Sequence, residues 1–161
     1  MKSKLLFVVA LACFVGSCGE APQEKEAAKG PPKLAAGKWL IAADFESADG
    51  TGLPPEAIEG LKQELMIGDS ICVQEDEVDR PPPRFFTASE HQCSYDRLQI
   101  ADGRIDASLI CGEQDYSHVV EISGTYGPAT YEIRENHQFE SVDGSRLSLV
   151  LSGRARWSGN C

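Results

Sequence analysis

The sequence is poor in positive charge, in aromatic side chains and in histidine. Its 161 residues include 15 lysines and arginines against 25 aspartates and glutamates, a formal net charge of −10, and 7% of them are aromatic. An acidic surface repels phosphate backbones, so we expect no nucleic acid partner. The same charge favours a cationic protein or peptide as a partner.

Motifs for catalysis and for metal binding are missing from the sequence as well. It contains no Gly-x-Ser-x-Gly turn, no glycine-rich phosphate loop before a helix and no His-Glu-x-x-His pair. It has no Cys-x-x-Cys pair, and His91, His118 and His137 lack ligand spacing, so we expect neither a metal site nor a cofactor. The acidic run at 75–79 lacks the pattern of a calcium loop and is interpreted as solvated surface.

One predicted strand, over residues 129–139, carries candidate acid–base groups. Glu135 and His137 share a face of this strand, and Glu132 points to the other face. We expect these side chains to lie on an outer, solvated face of the sheet. A weak hydrolase that uses Glu135 and His137 is the competing interpretation.

The chain also lacks an apolar run of the roughly 20 residues that a membrane-spanning helix needs. It starts instead with two lysines in its first four residues and an apolar segment at 5–15, the pattern of an export signal. The sequence Val-Gly-Ser-Cys at 15–18 is typical of a bacterial lipobox. We predict that residues 1–17 are a lipoprotein signal peptide and that Cys18 becomes the acylated first residue, with palmitate among the acyl groups.

The anchor predicts where the protein is located. A lipidated Cys18 places it in the bacterial cell envelope on the periplasmic side, and Gly19 favours the outer membrane by similarity to Gram-negative lipoproteins. Cys13 is a competing acceptor with a shorter apolar segment before it, and ordinary secretion with an unmodified thiol at Cys18 is the other alternative. Because the only charges in the first 17 residues are two lysines, the mature protein has a formal charge of −12.

Residues 18–36 are rich in alanine, glutamate, lysine and proline, and they predict a lipidated N-terminus followed by a flexible linker. Residues 37–161 predict a single β-rich domain. Alternation predicts a first strand at 38–46, and Ile58, Leu61 and Leu65 after Pro54-Pro55 predict one short helix. Further strands are predicted at 70–74, 92–101, 104–112, 117–126, 129–139 and 145–157. The fold class is α+β, mainly β, an antiparallel meander of about seven strands that is curved or barrel-like.

Adjacent aromatic residues follow the rigid connection at 81–83. Phe85 and Phe86 are expected in the core, and an exposed aromatic patch is the alternative.

Four cysteines remain after the signal peptide and Cys18, and an even number in an exported domain predicts disulfides. The segment at 100–104 predicts a hairpin with a three-residue loop that pairs Ile100 with Arg104. This register sets Cys93 opposite Cys111, and elimination then pairs Cys72 with Cys161.

Several motifs along the domain are shared with one protein family. They are Gly37-Lys-Trp39 at the start, Cys72-Val-Gln, the central Cys93 and Cys111, Gly124-x-Tyr126, and Trp157-Ser-Gly159-Asn-Cys161. With these motifs the chain resembles domain-of-unknown-function family 3617, exported proteins and lipoproteins of proteobacteria. The resemblance covers about residues 37–161 and implies export and the four-cysteine framework, without any catalytic residue.

We therefore expect an envelope lipoprotein that is a non-enzymatic binding or interaction module. Its partner is a cationic protein or a small apolar ligand held by the curved sheet, in addition to the membrane that the lipid on Cys18 enters. An inhibitor of a cationic secreted enzyme such as lysozyme is the first alternative, and the weak hydrolase is the second.

Overall fold

Alternation of apolar and polar residues along most of the chain produces seven strands. The computed structural model describes residues 31–51, 56, 59, 67–87, 92–113 and 116–161. The strands are β1 Gly37–Thr51, β2 Ile67–Val73, β3 Cys93–Ala101, β4 Arg104–Glu113, β5 Tyr116–Tyr126, β6 Thr130–Ser141 and β7 Arg146–Gly159. Between β2 and β3 the chain forms two 3₁₀ turns, Glu75–Glu77 and Pro83–Phe85.

The seven strands form one antiparallel sheet in the order β2-β1-β7-β6-β5-β4-β3. Strands β3 to β7 follow one another as a meander, and β1 pairs with β7. The sheet curls into a half-barrel whose edges are β2 and β3. The predicted mainly β, antiparallel meander of seven strands is thereby confirmed.

The predicted short helix lies almost entirely outside the described residues. Of that segment the structure describes Glu56 and Glu59, and both have helical conformation. The helix itself stays a prediction. No helix among the described residues is long and apolar enough to cross a membrane.

One face of the half-barrel forms the hydrophobic core, because every second residue of each strand points into it. Residues 81–87 cover this inner face, and Phe85 and Phe86 are fully buried there, in agreement with the core placement. The Phe85 ring packs edge-on against Trp39 at 5.3 Å and against Tyr131 at 5.1 Å between ring centroids. The protein's own aromatic side chains therefore fill this part of the interior.

Two tyrosine hydroxyls hold the covering segment, residues 81–87, onto the sheet. Tyr131 donates a hydrogen bond to the carbonyl of Phe85 at 2.5 Å, and Tyr95 donates one to the carbonyl of Pro81 at 2.7 Å. Burial raises the pKa of both hydroxyls above the ordinary value of 10.0, because a phenolate would lose its hydration in the core. Both groups thus stay protonated donors in the folded protein.

The protein should lose stability at alkaline pH through these two tyrosines. Above about pH 10 the unfolded chain releases protons that the folded chain retains, so the free energy of unfolding falls as pH rises. We expect Tyr131→Phe to make this decline shallower, measured by denaturant unfolding at several pH values from about 9 to 11. An identical pH slope in the variant and the parent would contradict the linkage.

The last residues of the predicted linker belong to the fold. Leu34 is buried in the core. The indole of Trp39 donates to the carbonyl of Ala35, and the indole of Trp157 donates to the carbonyl of Ala36, both at 2.9 Å. These contacts fix the chain before β1 begins, so residues 34–36 belong to the domain and not to the predicted linker.

This N-terminal segment also defines the two ends of the half-barrel. The amide of Ala35 donates to the carbonyl of Pro128 in the turn between β5 and β6, and the hydroxyl of Tyr126 donates to the carbonyl of Pro32. We call this the tether end. The opposite end, which we call the far end, carries the turn between β6 and β7 and the connection between β4 and β5.

The loop of the hairpin between β3 and β4 is one residue shorter than predicted. The sequence predicts that Ile100 pairs with Arg104, whereas the structure pairs Ile100 with Ile105. The loop is therefore two residues long, and Asp102 and Gly103 both have positive φ, 51° and 76°. That backbone geometry is what a type I′ turn requires.

A β-bulge further along the hairpin restores the predicted register. The pairing shifts between Tyr95 and Arg97, so Asp96 is an extra residue on β3. As a result Cys93 lies directly opposite Cys111. The predicted pairing of these cysteines is correct because the shorter turn and the bulge compensate for each other.

Both predicted disulfides are present. Cys93–Cys111 joins β3 to β4, with a sequence separation of 18, and Cys72–Cys161 joins β2 to the segment after β7, with a separation of 89. On the chain-entropy model such bridges contribute about 3 kcal/mol for a short loop and up to about 4.7 kcal/mol for a long one. The second bridge secures the edge strand β2 to the tether end.

Deleting Asp96 should keep the first bridge, because the deletion removes the extra residue itself. In the register that the type I′ turn sets, Tyr95 then lies opposite Leu109 without a bulge, and Cys93 stays opposite Cys111. We expect Cys93 and Cys111 to resist alkylation until they are reduced, as detected by peptide mass spectrometry. Free thiols at Cys93 and Cys111 in the deletion variant would contradict this register.

Candidate functional site

Three buried polar side chains form a hydrogen-bonded chain on the inner face of β5 and β6. Glu135, His137 and His118 are 1%, 5% and 1% exposed. Nε2 of His118 lies 3.0 Å from Nδ1 of His137, and Nε2 of His137 lies 3.0 Å from Oε2 of Glu135. A polar group in an apolar interior is costly unless it is hydrogen-bonded, so these two contacts hold the three side chains in line.

The sequence correctly predicts that Glu135 and His137 share a face of the strand, but it assigns that face to solvent instead of to the core. Glu135 and His137 share a face, and the exposed Glu132 points the other way, as predicted. The predicted solvated face is wrong, because Tyr131 and Ile133 alternate in step with them and pack into the core. Period-two geometry therefore takes Glu135 and His137 inside together.

His118 belongs to the same hydrogen-bonded chain of side chains, but it is not among the acid–base groups predicted from the sequence. It lies opposite Phe139 on the neighbouring strand, and the two rings stack with centroids 3.9 Å apart. Its signal in the sequence is its alternation with Val120 and Ile122, whose apolar side chains mark the buried face of β5. Extending that alternation by one step would have placed His118 in the interior.

Gly153 on β7 makes room for the carboxylate. A Cβ atom at Gly153 would lie 2.8 Å from Oε1 of Glu135 and 2.8 Å from Cγ1 of Ile133, closer than such atoms approach. Glycine in a strand often marks this kind of close approach. Leu149 and Leu151 are buried on the same strand, so the carboxylate is enclosed by apolar side chains beside its one glycine.

With Glu135 ionised and both rings neutral, the two contacts have one consistent assignment of donors. A carboxylate only accepts, so Nε2 of His137 carries the proton that is shared with Glu135. With neutral rings, Nδ1 of His137 then accepts from the Nε2 proton of His118. Both nitrogens of His137 are thus engaged in hydrogen bonds with buried side chains.

Within the described ranges, no group of three histidine, cysteine, aspartate or glutamate side chains is arranged to hold a metal ion. The predicted lipid attachment site Cys18 and His91 lie outside the described residues. The four cysteines of the disulfides are where the sequence puts them, in the two bridges described above.

Comparison with known proteins assigns a family without an activity. The family model described as "Protein of unknown function (DUF3617)" matches residues 34–161. The chain belongs to the DUF3617 family. No curated protein matches the chain, and no solved structure does. The DUF3617 match begins at the buried Leu34 and spans all seven strands, so the family unit is the half-barrel together with its fixed N-terminal segment.

His137→Ala should destabilise the protein strongly, because Glu135 would remain buried without its partner. Breaking one side of such a pair costs about 3–5 kcal/mol, to be measured by urea unfolding. Adding Glu135→Gln to the His137→Ala variant should recover part of this loss, since a neutral amide is less costly to bury than a carboxylate. If the double variant were less stable than His137→Ala, the buried carboxylate would not be the source of the loss.

Proposed function

We propose that the protein is an envelope lipoprotein, anchored through acyl chains on Cys18, that acts as a non-enzymatic binding module on the periplasmic side of the outer membrane. The anchor rests on the lipobox at 15–18 and on the export signal before it. Two or three acyl chains make such anchoring stable, whereas one chain binds only marginally. The disulfides support an oxidising compartment outside the cytoplasm.

The fixed N-terminal segment sets the length of the tether. Among the described residues, the carbonyl of Pro32 already accepts a hydrogen bond from the domain, and about a dozen residues of the predicted linker lie between it and Cys18. A flexible chain of that length spans roughly 20 Å on average. The domain is therefore held near the lipid surface with room to rotate.

The burial of Glu135, His137 and His118 is the observation that supports a non-enzymatic function. Glu135 and His137 are the acid–base pair that a hydrolase would use, and both are enclosed in the core and bonded to each other. A substrate has no contact with them while the sheet is folded as it is. The inner face is also occupied by Phe85 and Phe86, which favours a protein partner on the outer face over an apolar ligand inside the curve.

The acidic balance of the chain favours a cationic partner, since complementary charge speeds association and suppresses wrong partners. An inhibitor of a cationic secreted enzyme such as lysozyme is the second candidate, and it rests on the same formal charge of −12 for the mature chain. In that case excess protein should reduce lysozyme activity at low salt.

Replacing Cys18 tests the anchor. Cys18→Ser removes the thiol that accepts the diacylglyceryl group, so we expect loss of labelling by radioactive palmitate and release of the protein from the membrane fraction. Cys13→Ser is the matched control, because that thiol is expected to leave with the signal peptide, and it should label normally. Normal labelling of Cys18→Ser would overturn the lipid attachment.

A further inference from the structure

An open groove crosses the outer face of the sheet at the far end. Its volume is about 630 Å³, and it runs across four neighbouring strands, β1, β7, β6 and β5. Its charged lining side chains are Asp49, Glu140 and Arg146, and its neutral polar ones include Ser117, Gln138 and Ser148, all at positions that point away from the core. These side chains lie on the opposite face of the sheet from the buried histidine chain, and Phe139, which stacks on His118, also borders the groove.

The dimensions of the groove suit a short stretch of polypeptide. Neighbouring strands are about 4.8 Å apart, so four strands span about 14 Å from the first to the last. An extended chain advances about 3.3 Å per residue. The groove thus accommodates roughly four residues of an extended segment that lies across the strands.

The groove carries surplus negative charge. In the described part of the chain Asp49 is exposed and has no ion-pair partner. Glu140 holds Arg146 at 3.0 Å, which neutralises that cation. Asp143, in the turn beside the groove, accepts a hydrogen bond from the amide of Ser145, and this bond holds the pKa of the carboxyl below its ordinary value. The carboxylates of Asp49 and Asp143 are therefore left without a neighbouring cation around the groove.

The middle of the same outer face is different. There Asp44 pairs with Arg154, and Glu46 pairs with Arg134. Arg97 lies between Asp106 and Glu121, at 2.8 Å and 3.2 Å. Each of these carboxylates has an ion-pair partner, although Asp106 and Glu121 share Arg97, whereas Asp49 and Asp143 at the far end have no ion-pair partner among the described residues.

Apolar surface lies at the β5 side of the groove, three strands away from Asp49. Val119 lines the groove, and Ile110 lies opposite it on β4 with 53% of its surface exposed. Lysine and arginine bury their aliphatic stems on apolar surface while the charged group stays hydrated. A groove with acid at its β1 side and apolar surface at its β5 side thus matches the charged and the aliphatic parts of a lysine-rich segment.

We propose that this groove binds an extended, positively charged segment of a protein partner. The inference rests on the proposed function, a tethered binding module, and adds the place of binding and the chemistry of the partner. Residues 31–36 enter the domain at the tether end, so the groove lies at the end of the half-barrel away from the linker. A segment of another envelope protein therefore has access to it while the domain stays anchored.

The test uses the full mature chain with Cys18→Ser, which keeps it soluble, and an oligolysine peptide as the probe. We expect saturable chemical-shift changes in ¹H–¹⁵N NMR spectra at the amides of Ser117, Gln138 and Ser148, weakening as salt is raised. An oligoglutamate peptide should cause none. Asp49→Asn should weaken binding by roughly two- to fivefold, the range for one exposed charge pair.

A matched control and a blocking variant make the test specific to the groove. Asp102→Asn removes the same charge at the tether end, and it should bind oligolysine as the parent does, since asparagine tolerates the positive φ of that position. Ser148→Lys places a cation in the groove and should abolish the shifts at Gln138, with the thermal midpoint showing that the variant is folded.

Three results would overturn the proposal: no saturable binding, shifts confined to the acidic segment at 75–79, or equal weakening by Asp49→Asn and Asp102→Asn. Failure of the groove is distinguishable from failure of the anchor, because palmitate labelling of Cys18 is measured independently of peptide binding.

Discussion

A carboxylate inside a β-sheet needs a permanent partner, and in this protein the partner of Glu135 determines how the interior is built. His137 occupies the carboxylate, and His118 occupies the other nitrogen of His137. Gly153 provides the space that the carboxylate fills. Each side chain in this line is bonded to the next, which holds the buried carboxylate in place.

The rest of the interior is closed by the protein's own chain. Residues 81–87 lie over the inner face, and Tyr131 and Tyr95 hold them there through their hydroxyls. The two disulfides secure the edge strands β2 and β3. A domain of this kind offers a partner its outer face and its ends, and the groove at the far end combines unmatched acid with apolar surface.

Much of the fold follows from simple rules of alternation and turn chemistry. The seven strands follow from period-two patterns and from the turn signals Asp102-Gly103, Gly127-Pro128 and Asp143-Gly144, and the family follows from the motifs around the tryptophans and cysteines. The burial of Leu34 is visible only in the tertiary structure, because a single leucine after two prolines belongs to no periodic pattern. The predicted helix depends on residues that the structure largely does not describe.

Two predictions are wrong, the length of the loop between β3 and β4 and the exposure of Glu135 and His137, and both errors have physical causes that local sequence patterns do not show. A three-residue and a two-residue loop both suit Asp102-Gly103, and only the bulge at Asp96 decides between them. Glu135 and His137 were assigned to solvent because isolated charged residues are rarely buried. Their burial depends on Gly153, far away in sequence, and on His118 of the adjacent strand, so it becomes visible only when the strands are paired.

The central claim, that the interior is a closed structural core, is tested most directly by ¹H–¹⁵N NMR of the imidazole nitrogens. The account predicts that His137 and His118 each carry one proton on Nε2 and that both protons exchange slowly with water. Fast exchange of the His137 ring proton, at the rate of an exposed imidazole, would contradict it and would return Glu135 and His137 to the role of an accessible acid–base pair.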